Sequence, residues 1–169
     1  MTTAPLAMKG HGFHFGQTAI IIQWHLVGMF APSFFSGALI ERFGVLSVML
    51  AGVAAYIIVV ILNLSEQSMS HYWFALVLLG IGWNFLFVGG TTLLHEAWLP
   101  AEKGRVQGIN DTLVFSMSAL AAIGSGLLYN NLGWAITSLI SLPFTLISGA
   151  LIIYLIRLRR QRTRLVAGG

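Results

Sequence analysis

Polar side chains are so sparse in this sequence that each one inside an apolar stretch needs a chemical reason. Asp111 is the acidic residue clearly within such a stretch, about 9 Å beyond Arg105 at helical rise. A carboxylate at that depth serves a proton or ion path, or a paired structural site. The structural reading is favoured, because a helix N-terminus suits its charge and Gln107 stands one turn away to bond it. Gln23, Trp24 and His25 form a polar-aromatic cluster in another stretch, where an amide or imidazole left facing lipid would be costly. His25 could carry a proton, although a histidine satisfied by a neighbouring helix is the simpler expectation. Trp83 and Asn84 fall near the middle of a third stretch. Asn84 reads equally well as a contact for a bound small molecule or as an interhelical hydrogen bond of ~0.6 kcal/mol. Tyr56, Ser116 and Ser118 are weaker candidates of the same kind.

These groups suit recognition and proton movement, not bond making. Paired catalytic carboxylates, an activated nucleophile and a phosphate-binding glycine loop are all lacking from the sequence, and so is cysteine. His11 and His14 lie three apart with no third ligand close by, and His95-Glu96 does not continue to a second histidine, since residue 99 is Leu. No enzymatic activity, metal or cofactor is therefore expected.

The elements that must position these side chains are five apolar stretches, over residues 17–40, 45–64, 72–94, 106–128 and 134–156. Each is long enough, at about 20 residues, to cross ~30 Å of hydrocarbon as a helix. Hydrophobic residues make up 57% of the chain and charged ones 8%, against roughly 25% charged in soluble domains. Such a chain cannot form a polar surface, so the expected fold is an all-α polytopic membrane protein with five transmembrane helices. The lipid bilayer is its solvent.

Charge gives the orientation. Basic residues fall at Arg42, at Lys103 and Arg105, and in the arginine-rich tail, while the connections 65–71 and 129–133 hold neither Lys nor Arg. By the positive-inside rule the basic connections and tail face the cytoplasm and the N-terminus lies outside. The organisation is then an extracytoplasmic helix end (1–16), a five-helix transmembrane domain (17–156) and a basic cytoplasmic tail (157–169). The net charge of +4 comes from that tail, which points to anionic lipid and topology and away from nucleic acid.

Pro32 and Pro143 each lie inside a stretch and should bend its helix. Gly80, Gly82, Gly89 and Gly90, and the spaced Ser118, Ala122 and Gly126, are expected to serve close helix packing in preference to gating. Tyr72, Trp73, Trp98, Trp134 and Tyr154 fit interfacial aromatic belts.

Two cytoplasmic connections are the most specific features. The first is Gly37-Ala-Leu-Ile-Glu41-Arg42-Phe-Gly44, in which Gly37 would let a helix end pack closely and Gly44 can take a positive backbone dihedral. Adjacent Glu41 and Arg42 do not face each other on a helix, so each is expected to meet another element or solvent. The second runs from Leu99-Pro100 through Glu102, Lys103, Arg105 and Gln107 to Asn110-Asp111, with Pro100 ending one helix and Gln107 opening the next.

The first segment resembles the G-x-x-x-[DE]-R-x-G signature of the major facilitator superfamily, which joins the second and third helices of each six-helix half. Val45 and Leu46 replace the basic residues that commonly follow, as is typical of the copy in the second half. The second segment is similar to the loop between the fourth and fifth helices of a half, and residues 1–11 resemble the outer end of the helix that begins the C-terminal half. The resemblance covers essentially the whole chain and aligns its stretches with the last five helices of twelve.

It implies part of a secondary transporter that moves an unknown small molecule by alternating access. Gln23, His25, Trp83 and Asn84 become substrate-cavity candidates. Gly37, Glu41, Arg42 and Gly44 become a cytoplasmic gate loop, and Glu102, Lys103, Arg105, Gln107 and Asp111 a second cytoplasmic loop. The N-terminal half is expected to be missing, so the chain should be inactive without that half or an oligomeric partner, in the plasma membrane of a bacterium. The alternative is a small complete membrane module that oligomerises or assembles with other membrane subunits.

Overall fold

The structure is a computed structural model and describes residues 3–65, 68–97 and 102–167. Trp98, Leu99 and Pro100, to which the sequence assigned a belt position and a helix end, lie outside the described residues. The described residues form α1 (Thr3–Gly10), α2 (Phe15–Phe30), α3 (Ser33–Phe43), α4 (Val45–Leu64), α5 (Met69–Ala97) and α6 (Lys103–Ala167), with no strand among them. Helices are what a chain this apolar must form, because hydrocarbon offers its backbone no other partner.

The first apolar stretch is not one helix. Pro32 has no N–H to continue the ladder, and the chain bends by 42° between α2 and α3. Gly44, at φ 82°, separates α3 from α4 in a conformation few other residues accept. By length and apolarity α4, α5 and α6 can each cross a membrane, and α2 with α3 makes a fourth if the bent pair is one span. Pro143 does not interrupt helical structure in α6.

The 65-residue α6 doubles back. Asn110 lines a cleft with Gly90 and Leu94 of α5, and Arg159 pairs with Glu96 at the end of the same helix. On a straight helix residues 110 and 159 would stand about 73 Å apart. The reversal falls at Gly133, whose φ of 76° and ψ of −179° leave the helical region. The expected connection over 129–133 is thus helical almost to its end. The second arm (134–167) returns along α4: the Trp134 indole N–H donates to Asn63 O (3.0 Å) at one end, and Ile152 packs with Val45, Leu46 and Val53 towards the other.

Glycines decide how α5 meets its neighbours. A Cβ on Gly80 would sit 2.5 Å from His25 O and 2.9 Å from Gly28 C, and one on Gly28 would sit 2.6 Å from Val77 O. On another face of α5, Gly82 lies against the Tyr56 ring and the backbone of Gly52. The packing role expected for Gly80, Gly82 and Gly89 is realised, while a Cβ on Gly90 would meet nothing within 4 Å. Two similar expectations also fail. A Cβ on Gly37 or on Gly126 would meet nothing within 4 Å, and Ser118 is exposed, its hydroxyl bonded to Val114 O of its own helix.

The outer surface is apolar, as lipid requires. Phe34 is 91% exposed, and Ile109, Leu113, Met117, Leu120, Ile123 and Leu127 leave much of the first arm of α6 (103–132) uncovered. In water such a continuous patch would drive aggregation.

Candidate functional site

The most complete polar site is built where α2 breaks. Helix ends leave carbonyls without intrahelical partners, and inside a membrane water cannot take them. Asn84, on α5 and 2% exposed, supplies the partner. Its Nδ2 donates to Met29 O (2.8 Å) and to Ser33 Oγ (2.6 Å). The Ser36 hydroxyl lies 2.8 Å from Asn84 Oδ1 and 2.7 Å from Pro32 O. One amide therefore pins both sides of the Pro32 break to α5. Of the two readings open for Asn84, the interhelical hydrogen bond is the one this geometry makes.

One turn further out, His25 is 3% exposed and its Nδ1–H donates to Leu76 O (2.6 Å). It is a histidine satisfied by a neighbouring helix. Gln23 is exposed and lines a groove with Pro5, Lys9 and His14, and Trp24 meets Trp73 edge-on, ring centres 5.6 Å apart. Trp83 occupies yet another face of α5, stacked on Phe87 at 4.6 Å and 9° between planes. The structure thus places His25 and Asn84 in the α2–α5 interface but does not gather Gln23, His25, Trp83 and Asn84 around one cavity.

A cavity of ≈ 390 Å³ lies elsewhere, between α1, α4, α5 and both arms of α6. Tyr56, Asn63, Ser125, Ser138, Ser141 and Thr145 line its polar side. Ser125, Ser141 and Thr145 donate to carbonyls of their own helix, so their oxygens face the cavity as acceptors. Sequence reasoning singled out only Tyr56. The spacing of Thr137, Ser138, Ser141 and Thr145, one helix face by period, was the available signal.

At the two loop motifs, Glu41 and Arg42 are exposed, and Arg42 lies over the Phe43 ring at 5.2 Å. Neither forms an ion pair with a described residue. In the second loop Glu102 and Arg105 are exposed and Lys103 is half-buried. Gln107 Nε2 donates to Asp111 Oδ1 (2.7 Å), with Asn110 Nδ2 at 3.3 Å from the same oxygen. This is the pairing expected of a structural carboxylate. The ion pair that the sequence did not reveal is Arg159–Glu96 (2.7 Å), which ties the tail to the end of α5. Both partners are about half exposed, so its contribution is about 0–1 kcal/mol.

Apolar helices holding isolated, hydrogen-bonded polar groups between them define an integral membrane protein. The chain belongs to the Major Facilitator Superfamily, whose family model matches residues 1–168. It is similar to the riboflavin transporter RfnT of Brucella anthropi, 44% identical over 134 residues that cover 79% of this chain and 34% of that protein. It is also similar to two uncharacterized MFS-type transporters of Bacillus subtilis. YddS is 29% identical over 159 residues, covering 93% of this chain and 36% of that protein, and YdeG is 30% identical over 152 residues, covering 85% and 35%. The chain spans about a third of the length of each of these relatives. The family expected from the two loop motifs is the family found.

Proposed function

We propose that this chain supplies part of the C-terminal half of a secondary transporter that carries riboflavin or a close chemical relative across a bacterial plasma membrane. The observation that carries the proposal is the 44% identity to a riboflavin transporter over most of this chain. In this reading α2 with α3, α4, α5 and the two arms of α6 make five crossings, with the N-terminus outside and the arginine tail in the cytoplasm. The reversal at Gly133 and the positions of Arg42, Lys103, Arg105 and the tail support that arrangement. The remaining wall of the cavity comes from an N-terminal half, or failing that from an oligomeric partner, and the chain is inactive alone.

Within the transporter, Glu41 and Arg42 form the gate loop. Their lack of ion-pair partners among the described residues leaves both free to engage another half as the two rock against each other. The test is uptake of radiolabelled riboflavin by cells expressing this chain together with the N-terminal half proposed to complete it. Uptake above background is expected, and Arg42→Ala should reduce it at least about tenfold, or about 1.4 kcal/mol, with unchanged amounts of protein in the membrane. No uptake by the parent would reject the substrate, and normal uptake by Arg42→Ala would reject the gate-loop role.

A further inference from the structure

We infer that Trp83, Phe87 and Phe115 form the wall against which the flat ring system of the substrate stacks. The inference rests on the flavin reading above and names the residues that would execute it. Helix α5 presents three faces. One, with Gly80 and Asn84, is closed by α2, and a second, with Gly82 and Gly89, is closed by α4. The third carries Trp83 and Phe87, stacked almost in parallel, and is met by the first arm of α6, with Phe115 6.3 Å from Phe87.

Phe115 is 57% exposed. Aliphatic side chains would serve lipid equally well, whereas an aromatic cluster on this face suits a conjugated ring, which gains by offset stacking.

Polar groups complete the site. Below Phe87 a cleft of ≈ 360 Å³ is lined by Gly90, Thr91, Asn110 and Val114. Thr91 Oγ1 is a buried atom with no hydrogen-bond partner among the described residues. A hydroxyl without a partner is unusual in a protein interior. With Asn110 on the opposite side of the cleft, it offers polar contact to a ring edge that carries carbonyls and an imide N–H, as an isoalloxazine does. Asn84 plays no part here, because its amide is already fully engaged.

The experiment is a fluorescence titration of riboflavin with this chain, joined by the N-terminal half proposed above, in lipid nanodiscs, since stacking on an indole quenches flavin emission. The parent should bind and quench. Trp83→Leu should raise Kd about tenfold, within the range of single-ring stacking contributions, and lose most of the quenching. Trp83→Phe should keep Kd near that of the parent while also losing the quenching. Phe115→Leu, at an exposed position, should raise Kd several-fold. Lumichrome, the ring system without the sugar-alcohol chain, should show the same ratios. A parent that binds riboflavin, with Trp83→Leu and Phe115→Leu binding it equally well, overturns this inference and leaves the transport reading intact. A parent that binds no riboflavin overturns both.

Discussion

Gly80→Leu should abolish the folded protein, whereas Gly124→Leu should leave it intact. At Gly80 the added Cβ meets His25 O at 2.5 Å, with Gly28 C and Met29 N both at 2.9 Å. All of these are backbone atoms of α2, so no rotamer change relieves the clash and the two helices must separate. Overpacking of a yielding core costs about 1–3 kcal/mol. Here even Gly80→Ala belongs at the top of that range, because parting α2 from α5 also strains the His25–Leu76 and Asn84–Met29 hydrogen bonds. Gly124 meets nothing within 4 Å, which makes it the control for a large residue at a helical glycine. Size-exclusion of the detergent-solubilised protein after heating reads the difference. A monodisperse Gly80→Leu peak at the parent's melting temperature would mean that α2 and α5 do not cross there.

Asn84→Leu should be the most damaging single loss of polar contact. Membrane hydrogen bonds average only ~0.6 kcal/mol, because the unfolded helix also finds partners. Asn84 differs in that its Nδ2 serves two acceptors at the Pro32 break, and an orphaned buried carbonyl costs about 1–3 kcal/mol. A loss of about 2 kcal/mol is expected, seen as a lowered Tm in detergent. Ser36→Ala should cost less than about 1 kcal/mol, since the amide keeps both of its donor bonds. A parent-like Tm for Asn84→Leu would show that the break between α2 and α3 holds its shape without this pin.

Much of the fold was legible because the bilayer makes it so. Long apolar runs must be helices, Pro32 lacks the N–H that would have kept α2 and α3 together, and Gly44 stands where only a positive φ lets the chain pass from α3 to α4. The Gln107–Asp111 contact was readable for a similar reason, as a pair one turn apart on a single helix. What stayed hidden depends on partners distant in sequence. Gln23 and His25 are neighbours in the chain but about 200° apart on a helix, so one lines an outer groove while the other is buried against α5. The stripe of Ser118, Ala122 and Gly126 had the spacing for close approach, yet spacing states only that a helix can come near, and none of the described helices does. Arg159–Glu96 joins residues 63 apart in sequence, and nothing local to either announces the pair.

The central claim is that this chain is one share of a transporter and completes it when joined by the rest. The most direct measurement produces two separate polypeptides in a bacterium unable to make riboflavin: this chain, and the N-terminal half proposed to complete it. Growth on limiting riboflavin is then scored for each alone and for both together. The account predicts growth only when both are present, with the two recovered as one complex from the membrane. Growth supported by this chain alone would contradict it.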